Sequence, residues 1–150
     1  MRFAVDVMLG KLAKWLKILG FDTAFSPRAD DDDLLALARR EERTLLSRDR
    51  ALLQRTKGMA FLLIESDDWE DQVRQVVDHF RLRDAVRPHS RCLECNVALK
   101  EIAKEEASKL VPAFVFETAV EFALCPSCGR VFWPGTHFQA MSAKLADLIR

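Results

Sequence analysis

The sequence predicts an α/β fold, a mostly parallel sheet flanked by helices, followed by a small cysteine-rich module. Three observations carry that expectation. Over the first 82 residues, short apolar runs alternate with stretches of helical period, the pattern of a parallel sheet covered on both faces. Three of those runs end on acids: Phe3-Ala4-Val5 on Asp6, Thr44 to Ser47 on Arg48 and Asp49, and Ala60 to Ile64 on Glu65, Ser66 and Asp67. Beyond residue 91 the chain changes character and carries two Cys-x2-Cys pairs. The expected division is an α/β domain over 1–82, a basic, Pro-containing linker over 83–91, and a cysteine module with a C-terminal helix over 92–150.

A chain of 150 residues holds one domain, or one domain and an appendage. Hydrophobic residues make up 49% and charged residues 31%, enough apolar material for a packed core, which argues against disorder. No apolar run approaches the ~18 residues of a membrane span. The start of the chain lacks the basic-then-apolar pattern of a secretory signal. The expectation is therefore a soluble, cytoplasmic protein with no membrane partner. The formal net charge is zero, so any affinity for nucleic acid must come from local patches. Residues 39–57 and 81–91 are two such arginine-rich stretches, although a solvated surface is the commoner meaning of any single patch.

The elements follow in order. Phe3 to Val5 is a short strand. Met8, Leu9, Leu12, Trp15, Leu16 and Leu19 then repeat at helical spacing, with Lys11, Lys14 and Lys17 together on the opposite face. Gly20 suits the end of that helix. Thr23 to Phe25 is a second strand. Asp31 or Asp32 can cap the helix that buries Leu34, Leu35, Leu37 and Ala38. Capping accounts for one or two acids in the run Asp30 to Asp33. Four in a row repel unless solvent or cations screen them, so either an exposed loop or a divalent cation would make sense of them. Thr44 to Ser47 is the third strand, with a short helix at Ala51-Leu52-Leu53. The continuously apolar run Ala60 to Ile64 predicts a central strand. Asp67, with Glu70 three residues on, predicts a helix start before the stripe Trp69, Val73, Val76, Val77 and Phe80.

Cys92-Leu93-Glu94-Cys95 and Cys125-Pro126-Ser127-Cys128 are separated by 29 residues, longer than the usual ~15–20. Two such pairs point to a tetrahedral, structural Zn²⁺. A closed four-sulfur site has no open position for catalysis. Redox pairs usually come singly at a strand-to-helix junction, and paired disulfides belong with secretion. Between the pairs, Lys100 to Leu110 reads as helix and Ala113 to Phe116 as strand. Val131-Phe132-Trp133 reads as a strand, and a last helix from about Thr136 places Phe138, Met141, Leu145 and Leu148 on one face. His137 reads as a packing or capping residue rather than a ligand.

In an open α/β sheet, ligands bind outside the carboxyl ends of the strands. Asp6, one or two of Asp30 to Asp33, Asp49 and Asp67 could meet there. Carboxylates without a basic partner are poor acid–base groups but good ligands for Mg²⁺ or Mn²⁺. Such ions activate water for phosphodiester hydrolysis, and Lys11, Lys14 and Arg48 are placed to hold a phosphate. No serine, histidine or cysteine arrangement offers a rival nucleophile, since the four cysteines go to zinc.

These residues resemble a known family. The first part is similar to PIN-type ribonuclease domains, and the whole chain resembles the RNase family named for the C-terminal domain of the Mut-seven exonuclease, a PIN-like domain followed by a four-cysteine zinc ribbon. The matching pieces are FAVDVMLGKLAKWLKILGFDT (3–23), DDDDLLALARREERTLLSRD (30–49), ESDD (65–68), RCLECN (91–96), VFETAVEF (115–122) and CPSCGRVFWPGTHF (125–138). The resemblance implies metal-dependent hydrolysis of RNA, expected to be single-stranded. Carried over by motif, Asp6 is the first acid, Asp31 or Asp32 the second, Asp49 the third, and Asp67 a candidate fourth. The family usually has Thr before the Arg-Asp; Ser47 keeps the hydroxyl. Two rivals stand beside this expectation. One is a non-catalytic RNA- or ribosome-binding adaptor that keeps the fold. The other is a phosphotransfer protein using Asp6, for which the second acid of a D-x-D motif is missing because residue 8 is Met.

Overall fold

The computed structural model describes residues 1–150. Four parallel strands form the central sheet: β1 (Arg2–Val5), β2 (Asp22–Ala24), β3 (Thr44–Ser47) and β4 (Phe61–Leu63), in the spatial order β2-β1-β3-β4. The crossovers carry α1 (Gly10–Ile18), α2 (Asp31–Arg40) and α3 (Arg50–Leu53), and α4 (Trp69–His79) follows β4. Side chains alternate across a strand. Phe3, Val5 and Leu46 accordingly join a core with α1 and α4, while Ala4 and Leu45 join one with α2 and α3.

Two expectations about these elements are corrected. Met8 does not belong to the buried stripe of α1 and is 58% exposed. The chain leaves Asp6 as a 3₁₀ turn, Val7–Leu9, and the tighter winding rotates Met8 outward before α1 begins. The run from Ala60 to Ile64 forms an edge strand rather than a central one, with Phe61 half exposed. Its apolar character comes from burial of its faces: Leu62 and Ile64 pack into the α1–α4 core, and Leu63 packs against the other.

Both sheet edges meet an amide side chain. At β4, Gln75 Nε2 donates to the Leu63 carbonyl (2.9 Å) and its Oε1 accepts from the Glu65 N–H (3.0 Å). At β2, Asn96 Oδ1 accepts from the Thr23 N–H (2.9 Å) and Nδ2 donates to Asp22 (2.8 Å). Beneath this edge lies Arg43, only 7% exposed. Its guanidinium is held by Asp22 (2.7 Å), Glu41 (2.8 Å) and the Phe3 carbonyl (3.1 Å).

Residues 83–91 run along the first helix and do not hang free. The Arg87 N–H donates to the Leu19 carbonyl (2.8 Å), the His89 N–H donates to the Ile18 carbonyl (2.9 Å), and Val86 is buried in the main core. Gly20 terminates α1 with φ +97°, and a Cβ there would collide with the Arg87 carbonyl.

The C-terminal part contains an antiparallel sheet of β5 (Lys100–Ile102), β6 (Phe122–Leu124) and β7 (Val131–Phe132). Two further expectations fail here. The stretch from Lys100 to Leu110 begins as β5 because it pairs with β6, leaving only α5 (Lys104–Ala107) helical. Residues 113–116 are part of a helix, α6 (Ala113–Thr118). Pro112, with φ −59°, starts that helix, and its turn buries Val115 against Ala107, Phe122 and Val131. Tertiary packing overrides the strand preference of this aromatic and β-branched run.

The last helix, α7 (Thr136–Leu148), returns to the core that lies against the parallel sheet. Leu145 and Leu148 are buried in the same core as α1 and α4, and Lys144 pairs with Glu70 of α4. Arg83 donates to the carbonyls of Ile149 (3.2 Å) and Arg150 (2.9 Å). No helix is long and apolar enough to cross a membrane.

Candidate active site and metal centre

β1 and β3 are neighbours in the sheet, so their carboxyl ends bring Asp6 and the residues after Ser47 side by side. Asp6 continues the ladder through its N–H to the Leu46 carbonyl (3.0 Å) and is 3% exposed. A buried carboxylate needs donors. Asp6 Oδ1 accepts from the Val7 N–H (2.7 Å), and Oδ2 accepts from the Ser47 hydroxyl (2.6 Å). The Ser47 hydroxyl in turn accepts from the Asp49 N–H (2.9 Å). One fully buried hydroxyl thus ties the two acids into a single unit.

Asp49 also caps α3. Its Oδ1 accepts from the N–H groups of Ala51 (2.9 Å) and Leu52 (3.3 Å). No hydrogen bond engages Oδ2, which leaves that oxygen available to a cation or a solvent proton donor. Arg48 is exposed, with its guanidinium on the Glu65 carbonyl (3.4 Å). Lys11 and Lys14 are exposed on α1, and Lys11 Nζ lies 5.0 Å from the centre of the Trp69 ring.

The other acids stand apart from this pair. Asp31 and Asp32 lie exposed in the first turn of α2, and Asp32 is paired with Arg55. Neither caps the helix. Asp30 does, accepting from the Asp33 N–H (2.8 Å). Asp67 is exposed and is not the cap of α4; Asp68 is, accepting from Glu70 N–H (2.9 Å) and Asp71 N–H (3.2 Å). No hydrogen bond joins Asp31, Asp32 or Asp67 to Asp6 or Asp49. The acids are not drawn into a close group of three; the cysteines are the group that is.

The spacing of Asp30 and Asp33, the first and fourth residues of a capping box, could have pointed to Asp30. Two aspartates before Trp69 left the cap of α4 ambiguous by one residue. Lys144 had no local signal, because it reaches Trp69 and Glu70 only through the return of α7; its Nζ lies 5.6 Å from the Trp69 ring centre, and Trp15 stacks on that ring at 4.9 Å.

The four cysteine sulfurs lie within 4.8 Å of one another, and Cys92 and Cys128 are 4.0 Å apart. A tetrahedron with Zn–S bonds of about 2.3 Å has sulfurs about 3.8 Å apart, so the cluster can hold a zinc ion. Both knuckles use the same turn. Cys92 N–H donates to the Val97 carbonyl and Asn96 N–H to the Cys92 carbonyl; Cys125 N–H donates to the Arg130 carbonyl and Gly129 N–H to the Cys125 carbonyl, all at 2.9 Å. The turn requires a left-handed residue, supplied by Asn96 (φ 57°) and Gly129 (φ 75°). The Cys128 N–H, followed by burial acting in the opposite sense, sets the balance at Cys125, which is drawn down to about 7. At Cys95 the Ser127 hydroxyl favours the thiolate, but burial and the other three cysteines outweigh it and push the thiol up to about 11.

No curated protein and no solved structure gives a match. A family model described as the Mut7-C RNAse domain matches residues 1–145. With its parallel sheet, its paired acids and its four-cysteine cluster lying within that match, the chain belongs to the Mut7-C RNAse domain family.

Proposed function

We propose that the protein is a metal-dependent ribonuclease that hydrolyses RNA phosphodiester bonds at the carboxyl edge of its parallel sheet. The observation that carries this reading is the unit Asp6–Ser47–Asp49, two acids from neighbouring strands joined by one buried hydroxyl. Membership of an RNAse domain family supports the same activity.

The donor set suits a hard cation. It consists of carboxylate oxygens with no sulfur or imidazole among them, the chemistry that selects Mg²⁺ or Mn²⁺. Asp6 and Asp49 would hold the ion, with Asp31, Asp32 and Asp67 the further acids of the same edge. When bound, such an ion lowers the pKa of a water and offsets charge on a phosphate. The chain's own contribution is orientation. Ser47 and the Val7 N–H fix both oxygens of Asp6, and the α3 cap fixes Asp49 through Oδ1 while Oδ2 stays open. Lys11, Lys14 and Arg48 supply positive charge for the RNA backbone. The four cysteines hold a structural zinc, and residues 92–150 act as a ribbon that positions RNA. The setting is cytoplasmic.

The deciding assay incubates the full chain with labelled single-stranded RNA and Mn²⁺ or Mg²⁺, beside Asp49→Asn. Cleavage by the parent alone is expected. Equal cleavage by both would remove Asp49 from the chemistry. A rival reading, an RNA- or ribosome-binding adaptor, draws on the pairing of Asp32 with Arg55. It predicts salt-sensitive RNA binding without turnover in either metal.

A further inference from the structure

The three lysines of α1 have different settings. Lys11 and Lys14 are exposed, whereas Lys17, in the last turn, is half-buried. An ammonium taken out of water needs acceptors for its three donors. Lys17 Nζ has one, the Leu93 carbonyl at 3.0 Å, 76 residues further along the chain. No carboxylate forms an ion pair with it, and the side chain of Glu94 lies exposed.

Leu93 sits inside the first cysteine knuckle, between Cys92 and Cys95. The two knuckles share a turn but differ in what faces their first sulfur. Cys125 Sγ accepts from the Cys128 N–H (3.5 Å). Cys92 Sγ is fully buried and accepts no N–H; its polar neighbour is Cys128 Sγ. The charge of Lys17 does reach Cys92. Burial holds the Lys17 ammonium below its ordinary value, while Glu94 and then Cys92 favour its charged form.

A metal takes the thiolate form of cysteine, and four thiolates around Zn²⁺ leave a surplus of negative charge. Donors and charges just outside the ligands hold such a centre together. Arg91, beside Cys92, is committed to the Gly20 and Asn96 carbonyls and also acts on Asp22. Lys17 is the cation whose partner lies within the first knuckle.

We propose that Lys17 is a positioning residue of the zinc centre: its bond to the Leu93 carbonyl sets the first knuckle, and its ammonium offsets the charge that the four thiolates gather around the metal. The proposal rests on the zinc reading of the cysteine cluster and not on the ribonuclease reading. It makes the last turn of α1 an outer wall of the metal centre, although that helix belongs to the parallel-sheet part of the fold.

The test is zinc retention by the full chain, measured by competition with a chelator of known affinity. Lys17→Met and Lys17→Gln are each expected to bind zinc about tenfold more weakly than the parent, the low end for loss of a group that supports metal ligands. Lys17→Arg keeps the charge and the donors and should stay near the parent. Co²⁺ placed in each variant should keep the absorption of a tetrahedral four-sulfur site, with circular dichroism unchanged. Met suits a helix as well as Lys does. Lys17→Gln keeps a polar donor without the charge and decides the matter if Lys17→Met misfolds. Parent-like retention by a folded Lys17→Gln overturns the proposal, as does a Lys17→Arg that loses zinc as readily as Lys17→Met. A parent that takes up no Zn²⁺ removes the zinc reading and the role of Lys17 with it, whereas a zinc-binding parent matched by its variants removes the role of Lys17 alone.

Discussion

The Ser47 hydroxyl donates to Asp6 at 2.6 Å, and both groups are buried. The bond joins the ends of two neighbouring strands and orients the acid. Replacing Ser47 by Ala would strand one oxygen of a buried carboxylate. The expected cost is about 1–3 kcal/mol of unfolding free energy in urea titration. Cleavage should fall as well, whereas Ser47→Thr retains the hydroxyl and should retain more of both properties.

Asp49 has a structural role and a proposed chemical one, and two substitutions separate them. Asn caps helices about as well as Asp. Asp49→Asn should therefore melt close to the parent while losing RNA cleavage. Asp49→Ala should lose cleavage and a further ~1 kcal/mol of stability. If Asp49→Asn proved as unstable as Asp49→Ala, the cap would not explain the geometry at this residue.

Asp68, rather than the Asp67 that spacing suggested, caps α4. Asp68→Ala removes two cap bonds and should destabilise the chain by about 1 kcal/mol, while exposed Asp67→Ala should leave the melting temperature unchanged. The cleavage rate of Asp67→Ala then reports directly on whether that acid serves the reaction.

Acid should loosen the β2 edge. Burial disfavours the charged form of Asp22, but hydrogen bonds from Arg43 and then Asn96 outweigh it and hold its pKa below the usual value of 3.8. The stabilisation is complete above the unfolded pKa, about 3.9, and is lost as pH falls through the lower folded value. Asp22→Asn should flatten the acid limb of a stability–pH curve below about pH 4. An unchanged limb would assign the acid sensitivity to another group.

Zinc binding by the four cysteines should displace protons. The Cys125 thiol is drawn down to about 7 and the Cys95 thiol is pushed up to about 11, so affinity should rise with pH as these two lose their protons. Chelator competition followed by a colorimetric zinc indicator measures this. Cys95→Ser should weaken retention of zinc and lower the melting temperature of the whole chain, because Asn96 carries the effect into the sheet.

The α/β plan was legible because apolar runs of strand length alternate with stretches of helical period, and a parallel sheet leaves that signature. The positions of Asp6 and Asp49 were legible for the same reason, since acids that end strands must gather at one edge. The place of β4 was not, because an edge strand covered on both faces has the composition of a central one. The helix at Ala113–Thr118 was hidden by its aromatic and β-branched residues, and only Pro112 and the burial of Val115 explain it.

Asn96 occupies the place that a fifth strand would otherwise take. Exposed strand edges invite other chains to pair with them. Its side chain takes up the Thr23 N–H, while its own position is dictated by the turn around Cys92 and Cys95. Opening that turn would uncover β2 as a template for a neighbouring molecule. The turn that carries the first two cysteines thereby also covers a strand edge.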